Sequence, residues 1–188
     1  YYTVSAHKMC GPTGVGILYG KEELLNKLSP WHGGGEMIDE VSFEKTTYGE
    51  LPHKFEPGTP NIAGVIAFGA AIEYMDSIGL DNIQAHEDEL LKYCTQELKE
   101  IEGLKIYGEA KNKIAVISFN VEGIHHYDLG SLLDQFGVAV RIGHHCAQPV
   151  MNYFKIPGTV RISFSFYNTK EEIDLMIKAL KRAITMLQ

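Results

Sequence analysis

Arg141-Ile142-Gly143-His144-His145-Cys146-Ala147 places one cysteine beside two histidines and close to an arginine. The thiolate is the nucleophilic form of cysteine, and nearby positive charge or an imidazole base lowers the cost of forming it. This pattern indicates a nucleophilic thiol at Cys146, although a buried structural thiol is an equally compatible interpretation. A zinc site made by His144, His145 and Cys146 is disfavoured, because adjacent residues rarely coordinate one ion together.

A second reactive side chain, Lys8, lies in Ser5-Ala6-His7-Lys8, between a strand-like run and a glycine-rich turn. A lysine in a buried, preorganised site can lose its proton and form an imine with a carbonyl cofactor. Ser5 and His7 beside it are suited to donate hydrogen bonds to a phosphate. The alternative is a solvated lysine at a strand end, the commoner situation for this residue type. Together, Lys8 and Cys146 suggest sulfur chemistry on an amino acid.

Arg161 lies in a strand-like run, residues 159–166, in which apolar and polar side chains alternate. Alternation places Arg161 on the face opposite Val160 and Ile162. A planar guanidinium fixed on a strand is well suited to bind a carboxylate through two hydrogen bonds. A solvated strand arginine is the other interpretation of the same pattern.

Gly58-Thr59-Pro60-Asn61 is typical of a helix start, with Thr59 as the N-cap and Pro60 at the first helical position. Capping alone accounts for these residues. The functional alternative is that Thr59 and the nearby amides contact a phosphate.

Composition limits the classes of partner and of compartment. The net charge is −7 with no Lys/Arg cluster, so we expect neither a nucleic acid nor an anionic membrane as partner. No apolar run approaches the roughly 20 residues of a membrane span. Three widely spaced cysteines argue against a disulfide framework and favour a reducing, cytoplasmic setting. Of these, Cys94 lies on the apolar stripe of a helix, and Cys10 is interpreted as a turn residue.

The elements that must position these side chains alternate between strands and helices. Strands are predicted at 1–6 and 15–20, a short helix at 21–28, a loop-rich segment at 29–60, and a buried apolar helix at 61–78. A helix at 82–102 follows, whose apolar residues recur at helical spacing. Strands near 104–107, 114–121, 138–142 and 159–166, a helix at 127–136 and a final helix containing Ile173 to Leu187 indicate an α+β subdomain.

Taken in order, these segments resemble the SUF-type (group II) cysteine desulfurases and selenocysteine lyases, which are class V aminotransferases of fold-type I. The resemblance covers essentially the whole chain, and Arg-x-Gly-His-His-Cys-Ala is its most specific part. It depends on the following segments: Ser5-Ala6-His7-Lys8, Gly11 to Gly16, Gly33-Gly34-Gly35, Phe55 to Asn61, Arg141 to Ala147, Arg161 and Tyr167-Asn168-Thr169.

The resemblance implies an α/β plus α+β architecture, a partial fold-type I transferase. Residues 1–80 would be the carboxy-terminal part of the large cofactor-binding domain, and residues 81–188 the complete small domain. It also implies pyridoxal 5′-phosphate bound as an imine to Lys8, with Ser5 and His7 near the phosphate. Thr59 would reach the phosphate of the partner subunit's cofactor across a homodimer interface.

For the reaction, the resemblance implies that Arg161 binds the carboxylate of L-cysteine, with Arg141 close by. Cys146 would take the substrate sulfur as a persulfide and leave alanine, and an acceptor protein would pass the sulfur to iron–sulfur cluster assembly. Such enzymes are much longer than this chain. We therefore expect the activity of the parent protein, and expect the 188-residue piece alone to be inactive and to bind the cofactor weakly or not at all.

Two rivals remain open at the level of sequence. Another class V enzyme, such as a transaminase or a lyase, would use the same lysine without needing Cys146. A non-catalytic dimerisation or regulatory module would fold and associate without any cofactor and without dependence on Lys8.

Overall fold

The computed structural model describes residues 1–188. The chain divides into two compact units, Tyr1–Gly79 and Leu80–Gln188. The helices and strands of the first unit, in chain order, are β1 (Tyr2–Ser5), β2 (Gly16–Tyr19), α1 (Glu22–Lys27), β3 (Ile38–Val41), β4 (Thr46–Tyr48) and α2 (Ile62–Ile78).

Strands β1 and β2 form an antiparallel pair that leads into the turn containing Lys8. Ser5, at the end of β1, lies opposite Gly16. A Cβ at Gly16 would lie 2.9 Å from the carbonyl oxygen of Val4, so the close approach of the two strands requires glycine there. Residues Ala6–Lys8 then form a single 3-10 turn.

A small hairpin of β3 and β4 lies within the segment predicted as loop, with Ile38 opposite Tyr48. Strand β3 is exposed along its whole length. The Thr47 hydroxyl accepts a hydrogen bond from the Glu40 amide at 3.0 Å and donates to Asp39 Oδ2 at 3.2 Å. Because polar contacts rather than core-facing side chains define this hairpin, a search for hydrophobic periodicity does not find it.

Helix α2 begins later than predicted. The Asn61 Oδ1 accepts a hydrogen bond from the Gly64 amide at 3.0 Å, so Asn61 and not Thr59 is the N-cap. Asn and Thr are both good N-caps, and sequence alone does not decide between neighbours. The predicted capping role of Thr59 is therefore wrong, and its side chain is left without that structural task.

The prediction that α2 is buried is also wrong for most of its surface. Only Gly64, Phe68 and Ala71 of the helix are buried. Phe68 and Ala71 form a small core with Ala6. The apolar side chains of Ile62, Val65 and Ile66 are exposed. An apolar helix shows that a covering surface is needed, but not whether this chain supplies it.

In the second unit, four helices accompany a four-stranded sheet. In chain order the elements are α3 (Leu80–Lys99), β5 (Leu104–Tyr107), β6 (Val116–Val121), α4 (His126–Gln135), β7 (Arg141–Gly143), α5 (Gln148–Phe154), β8 (Thr159–Ser163) and α6 (Lys170–Leu187). The mixed helix and strand content predicted from residue 104 onward is confirmed. Helix α5 was not predicted, because its seven residues are too few to show helical periodicity.

The sheet has the order β5-β6-β8-β7, and all of its pairs are antiparallel. Alternate side chains of β6 and β8 point into the core, as the strand period requires. The core of this unit is made of buried side chains from the sheet and from three helices, including Leu90, Cys94, Leu98, Ile117, Phe119, Leu129, Leu133, Val160, Ile173 and Leu180.

The two strands next to the cysteine segment differ in how well the sequence predicted them. Strand β8 has Val160 and Ile162 buried and Arg161 on the opposite face, as predicted. Strand β7 is much shorter than the predicted 138–142. The Val138 amide bonds back to Leu133 in the α4 turn, and Gly143 has a φ of 107°, so regular pairing is confined to three residues.

Gly130 allows α4 to pack closely against β7, directly before the cysteine segment. A Cβ at position 130 would lie 2.2 Å from Ile142 Cγ2. We therefore expect Gly130→Ala to lower the free energy of unfolding. Overpacking costs about 1–3 kcal/mol, and the gain of about 1 kcal/mol that alanine brings to a helix interior offsets only part of it because the close atom belongs to a β-branched side chain.

Urea unfolding of the full-length protein measures this effect. Gln135→Ala is the control, because position 135 is an exposed site of the same helix α4. The control should be neutral or stabilising. An equal response of the two variants would contradict close packing at Gly130.

Candidate active site

Cys146 lies in a tight turn that follows β7. The Ala147 amide donates to the His144 carbonyl at 2.9 Å, and His145 and Cys146 have φ values of 55° and 58°. Two consecutive non-glycine residues in the left-handed region are unusual, and each such residue costs about 1–3 kcal/mol. The turn leaves the Cys146 side chain exposed and its thiol free.

Arg141 is the nearest charged partner of the thiol. Its Nη2 donates to Cys146 Sγ at 4.0 Å, which is a long contact to a large, polarisable acceptor. A guanidinium in this place stabilises negative charge on sulfur more than it stabilises a neutral thiol. The structure therefore brings the predicted nucleophile and one predicted arginine together.

Arg161 lies directly opposite Arg141 in the β7–β8 pair. Two like charges in directly opposed positions destabilise a sheet. Neither arginine forms an ion pair, and the Nε of Arg161 is buried without any hydrogen-bond partner. An anion bound between the two guanidinium groups would relieve both the repulsion and the unpaired donor.

His145 is turned inward from the same turn. Its Nε2 lies 2.8 Å from the hydroxyl oxygen of Thr159 and 3.2 Å from the Thr159 carbonyl oxygen. Burial lowers the pKa of His145, and the positive charge of Arg161 lowers it further. A neutral imidazole at pH 7 follows, which points to a role in fixing the turn rather than in supplying charge.

Thr159 is the one residue of this group that sequence reasoning missed. It is fully buried at the start of β8, opposite Gly143. No spacing rule joins His145 to Thr159, since their contact depends on the pairing of β7 with β8. A threonine at a strand start is otherwise unremarkable.

The other two cysteines differ from Cys146 in their surroundings. Burial raises the pKa of the Cys94 thiol to about 12, which makes it chemically inert near neutral pH. Cys10 is exposed in a turn with a φ of 60°. No group of three or more His, Cys, Asp or Glu side chains is arranged to hold a metal ion.

Lys8 belongs to the first unit, in a turn that backbone hydrogen bonds hold firmly. The Ala6 carbonyl accepts from the amides of Met9 at 2.8 Å and Gly11 at 2.9 Å. A Cβ at Gly11 would lie 2.9 Å from that carbonyl oxygen, so only glycine fits there. Lys8 is exposed and forms no hydrogen bond or ion pair within the chain.

Thr59 follows a second fixed turn of the same unit. The Gly58 amide donates to the Gly35 carbonyl at 2.9 Å, and Gly58 has a φ of 74°. A Cβ at Gly34 would lie 3.0 Å from Pro57, so the triple-glycine segment lies against this turn. The exposed Thr59 side chain forms no hydrogen bond with the rest of the chain.

Ser5, His7, Lys8 and Thr59 therefore lie in the unit Tyr1–Gly79, and Arg141, Cys146 and Arg161 in the unit Leu80–Gln188. The first group offers two hydroxyls, an imidazole and an unpaired amine. These groups suit a phosphate and a carbonyl, and pyridoxal phosphate carries both. The residues present fit that cofactor.

Comparison with known proteins places this arrangement in a family. The model of the class-V aminotransferases matches residues 1–176, and the chain belongs to that family. A probable cysteine desulfurase of Xylella fastidiosa (strain Temecula1) is 50% identical over 187 residues, which are 100% of this chain and 45% of that protein. The cysteine desulfurase of Escherichia coli O8 is 47% identical, with 100% of this chain and 46% of that protein covered.

A solved cysteine desulfurase structure has the same fold as this chain. The crystal structure of the cysteine desulfurase CsdA (S-sulfonic acid) from Escherichia coli superposes with a TM-score of 0.94 at 40% identity, over 100% of this chain and 46% of that one. The family resemblance and the partial fold-type I class expected from the motifs are confirmed. The chain spans about 45% of the length of the curated relatives it matches.

Proposed function

We propose that this chain is the carboxy-terminal part of a pyridoxal-phosphate-dependent cysteine desulfurase. Residues 1–80 are then the end of the cofactor-binding large domain, and residues 81–188 are the small domain. The observation that supports this most is the exposed Cys146 thiol, 4.0 Å from the Arg141 guanidinium. A transaminase or a dimerisation module has no need of an exposed thiol held in a strained turn beside an arginine.

Lys8 is the residue that would hold the cofactor, which supplies an electron sink when bound. Ser5 and His7 would donate hydrogen bonds to its phosphate. Thr59 would contact the phosphate of the cofactor in the partner subunit. Its lack of a capping role and of any hydrogen bond within the chain supports this assignment.

Arg161 and Arg141 would bind the carboxylate of L-cysteine. Their opposed positions in the sheet and the unpaired Nε of Arg161 support a bound anion at this place. A carboxylate bound by fixed guanidinium groups is held in one orientation, and this positions the sulfur atom of L-cysteine relative to the Cys146 thiol.

Cys146 would accept the sulfur. Its thiolate forms a sulfur–sulfur bond with the substrate sulfur while the Cβ–S bond of the substrate breaks, and that electron pair stays on the carbon side. Protonation of the carbon gives alanine. Overall, L-cysteine and the enzyme thiol become L-alanine and an enzyme persulfide, with no net gain or loss of electrons.

The expected partners follow from this product. A persulfide must be passed to a sulfur-acceptor protein, for iron–sulfur cluster assembly, in a reducing cytoplasmic setting. A homodimer is proposed, since Thr59 is assigned to the partner subunit's cofactor. The apolar side chains exposed on α2 favour packing of this helix against polypeptide outside this chain. No single helix is both long and apolar enough to cross a membrane.

The test uses the full-length protein loaded with pyridoxal phosphate and given L-cysteine without a reductant. We expect mass spectrometry to find one added sulfur atom on the peptide containing Cys146, with alanine formed in equal amount. A transaminase would instead form a keto acid and leave the peptide unmodified. Either that result or the absence of any turnover contradicts the proposal.

A further inference from the structure

The turn that presents Cys146 needs an anchor. His145 and Cys146 both occupy the left-handed region, and Gly143 before them has a φ of 107°. Strained backbone of this kind persists only where the surrounding structure determines it. Cys146 itself is exposed, with only the long contact to Arg141, so the anchor must be another residue of the turn.

His145 is that residue, and Thr159 is what holds it. A carbonyl oxygen only accepts hydrogen bonds, and the buried Nδ1 has no partner, so we assign the proton of the neutral ring to Nε2. In this tautomer Nε2 lies 3.2 Å from the Thr159 carbonyl oxygen and 2.8 Å from the Thr159 hydroxyl oxygen. Thr159 is fully buried, which shelters this pair of contacts from competing water.

The contact also joins the turn to a rigid part of the sheet. Thr159 pairs with Gly143, so β8 supports the turn through the backbone on one side and through the His145 ring on the other. The Nδ1 of His145 is buried without a partner. The two contacts to Thr159 are therefore the only hydrogen bonds of the ring, and losing the hydroxyl leaves it with the weaker one.

We propose that Thr159 is a positioning residue for sulfur transfer. Its hydroxyl fixes the His145 ring, and the ring fixes the turn that keeps the Cys146 thiol beside Arg141. Its effect on turnover rests on the proposed desulfurase function. Its effect on the thiol does not, because the geometry of the turn can be probed with a simple alkylating agent.

The experiment compares Thr159→Val with Thr159→Ser in the full-length, cofactor-loaded protein. Valine has the shape of threonine without the hydroxyl, and serine keeps the hydroxyl. Thr95→Val is the matched control, since the Thr95 hydroxyl donates to the Leu91 carbonyl at 2.6 Å within α3. The readouts are the rate of persulfide formation, the KM for L-cysteine, and the rate of Cys146 alkylation by iodoacetamide at one fixed pH.

We expect Thr159→Val to slow persulfide formation about 10- to 100-fold, the range that a misplaced reacting group produces, with little change in KM. Alkylation of its Cys146 should be slower, because the thiol spends less time beside Arg141. Thr159→Ser and Thr95→Val should behave like the wild type. Equal impairment by valine and serine, or a wild-type alkylation rate in the valine variant, would overturn the proposal.

If Thr159→Val does not fold, His145→Phe serves as a second variant. It keeps a ring in the turn and removes both contacts to Thr159. We expect this variant to show the same slowing of Cys146 alkylation, and an unchanged rate contradicts the anchor. If the wild-type protein forms no persulfide at all, the proposed function fails, and the alkylation rates still decide the role of Thr159.

Discussion

Cys146→Ala is expected to abolish persulfide formation by the full-length protein. Alanine removes the one exposed thiol that has a guanidinium beside it, and no other side chain of the turn can accept sulfur. Substrate binding depends on the arginines of β7 and β8 in our proposal, so the variant should still bind L-cysteine. The measurement is peptide mass spectrometry after incubation with L-cysteine, together with alanine release.

Cys10→Ala is the control for this variant, since Cys10 is the other exposed, free cysteine. It lies in the glycine-rich turn after Lys8 and has no arginine contact. We expect it to keep the persulfide on Cys146. Full alanine release by Cys146→Ala would exclude Cys146 as the sulfur acceptor, and an unchanged transamination activity would favour the class V transaminase interpretation.

The sequence predicted the part of this site whose reactive residues are adjacent along the chain. The cysteine, two histidines and arginine of residues 141–147 lie in one continuous segment, and the alternation of β8 placed Arg161 on the face away from the core. The opposition of Arg161 to Arg141 was not predictable. It depends on the register of β7 with β8, which no local pattern specifies.

The predictions for Thr59 and α2 failed, and Thr159 was missed, because each depends on contacts that the local sequence does not specify. Thr59 was given a capping role because it precedes a proline, but Asn61 forms the cap two residues later. Helix α2 was predicted to be buried because it is apolar, but burial depends on what packs against a helix. Thr159 escaped notice because its contact with His145 joins residues that are distant in sequence. Long-range contacts, and not local propensity, decide each of these points.

Lys8→Ala is expected to remove the covalent attachment of pyridoxal phosphate and to lower sulfur release at least about a thousandfold, as loss of a covalent catalyst does in other enzymes. Lys8 suits this role because its amine has no partner within the chain, while the turn that contains it is held by hydrogen bonds from the Met9 and Gly11 amides to the Ala6 carbonyl. A positioned but unpaired amine can react with a carbonyl, whereas a lysine held in an ion pair stays protonated.

Borohydride reduction followed by peptide mass spectrometry measures the attachment directly, without depending on turnover. The wild type should show the reduced cofactor on the peptide containing Lys8, and Lys8→Ala should show none. Lys21→Ala, at the exposed start of α1, is the control and should retain the label. Cofactor trapped on another lysine of the wild-type protein would show that Lys8 is a solvated residue at a strand end. In that case another lysine would hold the electron sink that the sulfur chemistry at Cys146 needs.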